Sequence, residues 1–493
     1  MDDIKLYGST ETHITNLLQL TESFSNDIRM SFGLDKCRRL SIDKGQVILH
    51  GFDLINEGSI AAMDKDDTYK YLGLQQTERV KHKEIRHRVT EQYLKRIGDI
   101  LRTSLNGKNV FKAINTFAIP VLTYTFGVVK WTKTEIRDIE RATRKLLTKN
   151  RILHPKSALE RLTLPRQDGG RAMIDIDRMC QKQTQRLQKY FKKQDGALYQ
   201  AVIKADNRYT PLDLSHDTRE LVSDETYIQG KKQDWTSKPL HGRHASLLSQ
   251  PYVDSKASNG WLGRADIFAE TEGFMIAIQD QVIATKNYLK YIIRAQVEND
   301  LCRKCHQQSE TIQHITSACP ILVPREYLSR HNQVAKIVHQ SLACLHGLLS
   351  EEIPYYKYEP SPVLENSTHK LYWDRSVLTD RTIVHNRPDI IIVDKSRKRV
   401  LLIDIGIPNG HNILTYYAEK EAKYQRLGQE IQQMWRQVSV SVVPLIISST
   451  GVVPKSLTNN LRMLEIANKL AIIQKAVILS TTSIVRTFLN VSI

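Results

Sequence analysis

Residues 385–424, HNRPDIIIVDKSRKRVLLIDIGIPNGHNILTYYAEKEAKY, decide how this 493-residue chain is read. They spell two buried strands, 390–393 and 400–405, then a loop and a helix. Both runs are nearly continuous in Ile, Leu and Val, the pattern of strands covered on two faces. Pro388 precedes the first run, where its missing N–H costs no ladder bond. The connecting turn, 394–399, holds four basic residues and belongs in solvent. In a symmetric hairpin centred between Ser396 and Arg397, Asp389 and Asp404 face each other. Their Cβ atoms then lie roughly 5 Å apart on one face of the sheet. Two carboxylates at that separation repel unless a cation sits between them. Mg²⁺ suits such a pair, and its waters can attack a phosphodiester. Lys420 and Lys423 are three apart on the following helix and share a face. A lysine there can orient the attacking water or stabilise charge on a phosphate. The bland alternative is two aspartates capping a structural hairpin.

Lys and Arg outnumber Asp and Glu by 71 to 53, a net charge of +18 that suits a polyanionic partner. With 41% hydrophobic residues the chain is globular, and its length predicts two to four domains. Six cysteines in such a length make no disulfide scaffold. Three of them fall in Cys302-x2-Cys305-x8-His314-x4-Cys319, a spacing that wraps four ligands tetrahedrally around Zn²⁺. All four positions are protein ligands, so the site is structural rather than catalytic. His306 is an alternative ligand, poorly placed beside Cys305. Cys37, Cys180 and Cys344 are expected as buried thiols. The opening MDDIKLYGST is acidic and polar and reads as no signal peptide. The apolar run 438–453 is interrupted by Pro444 and several serines, so no membrane partner is expected.

Pro388-Asp389, a hydrophobic hairpin, Asp404 and a downstream lysine together resemble the PD-(D/E)XK nuclease core. That pattern usually places a lysine two residues after the second acid, where this chain has Gly406. The displaced lysines, in the form KxxKY (Lys420, Lys423, Tyr424), are similar to the restriction-enzyme-like endonuclease of non-LTR (LINE-type) retrotransposons. Other stretches resemble the same polyprotein in the same order. Met1-Asp2-Asp3-Ile4 resembles the metal-binding hairpin tip of a reverse transcriptase. Residues 25–34 read as helix, and Phe32-Gly33-Leu34-Asp35-Lys36-Cys37 resembles the segment after that hairpin, with Lys44-Gly45-Gln46 as a turn. Tyr69-Lys70-Tyr71-Leu72-Gly73 is similar to a primer-grip strand. Residues 77–151 read as basic helices, with seven Lys/Arg against three acids in both 81–102 and 133–151. In the second, Ile136, Ile139, Thr143 and Leu146 form a stripe that leaves Arg137, Arg141, Arg144 and Lys145 outside it. These basic residues are either a solvated face or phosphate contacts of a thumb. Residues 164–171 are similar to a turn-rich segment found after that thumb. The Cys/His motif resembles the CCHC knuckle of the same elements, and 438–448 with GVVPK their closing strand.

The expected fold is therefore multidomain: an α+β remnant of a polymerase palm (1–76), a basic helical thumb (77–170) and a helical connector (171–300) loop-rich over 205–260. A zinc knuckle (301–322) and an α/β nuclease-like domain (323–493) complete it. Helices are expected at 178–193, 284–301, 320–372 and 457–476. The resemblance implies Mg²⁺-dependent nicking of double-stranded DNA that primes reverse transcription of the element RNA. It implies a nuclear location, or a cytoplasmic one as an RNA complex. Asp389 and Asp404 would hold Mg²⁺, Lys420 or Lys423 would assist the water, and Arg387 would approach the DNA. Asp2 and Asp3 would be remnant polymerase ligands. The rest of the palm is not in this sequence, so no polymerase activity is expected of it alone. The rival reading is a non-enzymatic nucleic-acid-binding remnant.

Overall fold

The computed structural model describes residues 3–54, 58–77, 79–216 and 220–490. The chain is an α+β protein of two compact units. One comprises Met1–Arg96, Ala118–Ile139 and Ile176–Glu220, the other Ile97–Phe117, Glu140–Asp175 and Leu221–Ile493.

The first unit begins with the helix Glu11–Asp27, whose Thr10 side chain accepts from the His13 N–H. Only 25–27 of the expected 25–34 helix is helical, because Arg29 turns left-handed at φ 57°. Seven short strands follow: β1 Arg38–Arg39, β2 Ser41–Asp43, β3 Gln46–Ile48, β4 Phe52–Leu54, β5 Gly58–Ala62, β6 Tyr69–Tyr71 and β7 Leu74–Gln76. They form a β1-β5-β4 sheet and two hairpins, β2-β3 and β6-β7. The hairpin turns, Lys44-Gly45 and Leu72-Gly73, have both residues at positive φ, which a two-residue turn matched to strand twist requires. Residues 3–8 form no strand, so Asp3 is exposed in open chain rather than at a hairpin tip. Asp2 lies outside the described residues. The helix expected at 178–193 runs Ile176–Lys192.

The helix Lys133–Lys149 buries Ile136, Ile139, Thr143 and Leu147. Leu147 takes the place expected of Leu146, because the buried face advances by 3.6 residues per turn. Arg137, Arg141 and Lys145 are exposed and Arg144 is half-buried.

The second unit is built around a five-stranded sheet: β8 Val363–Glu365, β9 His369–Trp373, β10 Ile390–Asp394, β11 Arg399–Gly406 and β12 Ser439–Ile446. Its order is β12-β11-β10-β9-β8, with β11 and β12 parallel and every other pair antiparallel. The parallel pair needs a crossover, supplied by the helices Ile413–Lys423 and Gln425–Met434. Side-chain alternation sends the central strands into two cores. Ile390, Ile392, Ile403 and Ile405 pack with Val334, Ile337 and Val338, whereas Ile391, Val393, Val400 and Leu402 pack with Tyr424, Leu427 and Ile431. Pro444 is tolerated in β12 because that strand is the sheet edge.

Residues 164–171 are turn-rich as expected and also packed: Leu164 and Arg171 are buried, and a Cβ on Gly170 would meet the Leu164 carbonyl oxygen at 2.0 Å. Arg171 and Arg166 pair with Glu272 at 2.9 and 2.8 Å, and Arg161 with Asp280 at 3.0 Å, in a buried network. Several expectations for this unit fail. The stretch read as loop-rich contains the helices Asp224–Thr236 and Gly242–Leu248, with Trp235 and Leu247 in a core. Helix expected over 284–301 stops early, since Arg294 turns left-handed at φ 59°. Within 320–372 the helix Leu328–Leu345 is followed by β8 and β9. The helix expected at 457–476 is two, Lys455–Met463 and Leu470–Leu489, separated where Glu465 has φ 59°. The second helix belongs to a segment, Ala467–Leu489, long and apolar enough to cross a bilayer. Its Ile473, Ala476 and Val477 pack in one core and Ile484, Val485 and Phe488 in another. Cys37, Cys180 and Cys344 are half-buried rather than buried.

Candidate active site and metal centre

Ile390 pairs with Ile403 and Asp394 with Arg399, the register of the symmetric hairpin. Alternation then puts Asp389 and Asp404 on the same side as Ile391 and Leu402. Asp404 is 1% exposed, and Asp389 is half-buried at the mouth of β10. Asp389 Oδ2 accepts the Ile405 N–H at 2.6 Å, which ties the first acid to the strand carrying the second.

The helix Ile413–Lys423 brings both lysines to Asp404. Lys420 Nζ lies against Oδ2, and Lys423 Nζ is 3.9 Å from Oδ1. The Tyr424 hydroxyl reaches Asp404 Oδ1 at 3.0 Å and the Arg387 carbonyl at 2.9 Å, and its one proton serves either acceptor. Asp404 Oδ2 is buried and has the Lys420 ammonium as its ion-pair partner. Sequence reasoning missed His331. It comes from the helix Leu328–Leu345, and its Nε2 is 3.0 Å from Asp389 Oδ2. No spacing rule links it to the hairpin.

The environments push the two acids apart. Burial and the charge of Asp389 raise the Asp404 carboxyl, against Lys420 and Lys423. Burial also acts to raise Asp389, but the His331 hydrogen bond and charge, the Ile405 N–H and Lys420 outweigh it and hold that carboxyl below its ordinary range. Burial lowers His331 and the Asp389 contacts more than restore it, so its balance is upward. Pairs of carboxylates separated in this way are a mark of acid/base and metal sites.

Arg387 does not stand free. It grips Asp374 with Nε 2.7 Å from Oδ1 and Nη2 2.7 Å from Oδ2. Any nucleic-acid contact it makes must share that bidentate pair.

A second cluster is built by the turn after Leu301 and the helix Ile312–Ser317. Ligand atoms of Cys302, Cys305, His314 and Cys319 all lie within 4.8 Å of one another. Cys305 Sγ is 3.3 Å from His314 Nε2, and Cys302 Sγ is 3.9 Å from Cys319 Sγ. Three thiols and one imidazole converging in a largely buried site can hold a metal ion, and the set is compatible with zinc. His314 Nδ1 is 3.1 Å from Gln308 Oε1. An amide oxygen only accepts, so Nδ1 carries the proton and Nε2 is left to ligate. His306, the alternative ligand, is exposed and outside the cluster.

Comparison of the chain with protein-family models and with curated proteins returns no match.

Proposed function

We propose that this chain is the C-terminal part of a non-LTR retrotransposon polyprotein, and that its chemistry is Mg²⁺-dependent nicking of double-stranded DNA. The observation that supports the reading is the hairpin register, which ends at Ile390–Ile403 with the two acids as the next residues, and Lys420 and Lys423 on the second acid. Fit for a hard cation rests on the donor set, two carboxylates on one face of the sheet, one of them buried. Bound there, Mg²⁺ supplies a water of lowered pKa and offsets charge on the phosphate. The remaining work falls to the chain itself. His331 keeps Asp389 ionised, and the Ile405 N–H fixes its direction. Tyr424 orients Asp404. Lys423, farther from its carboxylate than Lys420, is placed to hold the attacking water. Lys420 lies against the oxygen a cation would take, so lysine and cation compete for it. The knuckle and the basic helices hold nucleic acid, DNA target and element RNA, in the nucleus.

One observation favours the rival reading of an inactive nucleic-acid-binding remnant. Two lysines and a histidine already balance the two acids without a metal. Supercoiled plasmid separates the readings. The wild-type protein with Mg²⁺ converts it to the open-circular form, and Asp404→Ala and Lys423→Ala each lower that rate by roughly 100-fold or more. DNA binding with no nicking in the wild type establishes the remnant instead.

A further inference from the structure

Arg330 stands one residue before His331 on the helix Leu328–Leu345. Its side chain is 2% exposed, and among the described residues no carboxylate pairs with it. Nη1 donates to Thr481 Oγ1 at 3.0 Å, and Nε is buried without a partner. The guanidinium carbon sits 5.1 Å from the centre of the neutral Tyr327 ring. Burial pushes the guanidinium down to about 10, so it stays charged at neutral pH. A buried cation left unpaired is costly, and an anion entering the cleft would offset that cost.

The surroundings are made for such an anion. Arg330 lines a cleft of about 430 Å³ between the first turns of its own helix and the last turns of Leu470–Leu489. Ser329, Ser480, Ser483 and Thr487 line the same cleft. Gln333 accepts from Ser480 Oγ at 3.0 Å through its carbonyl oxygen, which leaves its amide N–H groups to donate. Arg325 adds a second cation at the rim, beside the single lining carboxylate, Glu326.

We propose that this cleft binds a phosphate group through Arg330, with the serine and threonine hydroxyls completing the shell. A polynucleotide backbone and a free phosphate both present that chemistry. The inference uses neither Asp389 nor Asp404 and stands whether or not the chain cuts DNA. Charge-assisted hydrogen bonds from a preplaced guanidinium are among the stronger neutral-pH contacts to phosphate.

The test takes the whole chain and two probes. Inorganic phosphate is titrated against chloride at constant ionic strength while thermal unfolding is followed. A short labelled duplex is titrated in parallel by fluorescence anisotropy. At ten times its Kd, phosphate multiplies the folded-to-unfolded ratio about 11-fold in the wild type and in Asp404→Ala. It leaves Arg330→Met and Ser483→Glu unmoved. Ser483 is exposed, so its variant folds even where Arg330→Met fails to, and its carboxylate puts a negative charge in the cleft that repels the ligand. If the backbone is the source, duplex affinity falls about tenfold in Ser483→Glu. If free phosphate is the source, duplex affinity is unchanged and only the phosphate response disappears. A wild-type protein that shows no phosphate-specific shift and the same duplex affinity as Ser483→Glu overturns the proposal.

Discussion

Burial pushes the Asp404 carboxyl up while two lysines pull it down, and that tension is why the residue matters. A carboxylate at 1% exposure is kept because Lys420, Lys423 and the Tyr424 hydroxyl meet its two oxygens. His331 does the complementary job for Asp389, yet nothing in the sequence announces it. It precedes the acid by 58 residues, and a lone histidine on a helix is an ordinary sight. A second histidine of the same helix shows the opposite case. His339 is 0% exposed, bonded through Nδ1 to the Tyr358 hydroxyl at 2.8 Å, with Nε2 buried and unpartnered. Burial pushes it down to about 4. The unfolded chain therefore takes up this proton near the ordinary value of 6.5, before the folded chain does, so stability falls as pH drops from there towards 4. Between about pH 7 and pH 4 the wild type should lose about 3 kcal/mol more than His339→Phe. Urea unfolding of both proteins at the two pH values measures it; equal losses would show that His339 titrates in the fold as it does in water.

At the scale of elements, the hairpin was the easiest part to read, and the reason is physical. A run of Ile, Leu and Val bounded by a basic turn has one register that keeps both faces buried, so β10 and β11 fell within a residue of their expected bounds. The failures have a common cause as well. Helix ends at Arg29, Arg294 and Glu465 use left-handed backbone at charged residues rather than at glycine, so the usual stop signal is absent. The short strand His369–Trp373 pairs with β10 only through tertiary contact and has no period of its own. The Cys/His cluster sits between these cases. Its four ligands were plain from spacing, but Gln308, which fixes the His314 tautomer, was not. Gln308→Ala should weaken zinc binding by roughly 10- to 100-fold while leaving all four ligands in place. Chelator competition on the purified protein gives that ratio; an unchanged affinity would mean the amide does not orient the imidazole.

For the whole molecule, the net charge of +18 suits a polyanion partner, and the mixed five-stranded sheet makes the chain an α+β protein. Neither specifies a reaction. The segment least legible in sequence, the Ser- and Asp-rich run after residue 205, proved to supply helices and core. Its polar residues cap and pair: the Ser223 side chain accepts from the Thr226 N–H, and the Lys231 ammonium is 2.6 Å from Asp175. Composition averaged over such a window hides this, because the buried positions are few and irregularly spaced. What gives the fold its proposed purpose is the single place where two carboxylates meet. Calcium tests that place most directly, since it prefers oxygen ligands and leaves the thiols of the Cys/His cluster alone. Isothermal titration of Ca²⁺ into the zinc-loaded protein should give one site per chain, lost in Asp389→Asn and in Asp404→Asn. Uptake of the same number of ions with the same affinity by all three proteins would contradict the account.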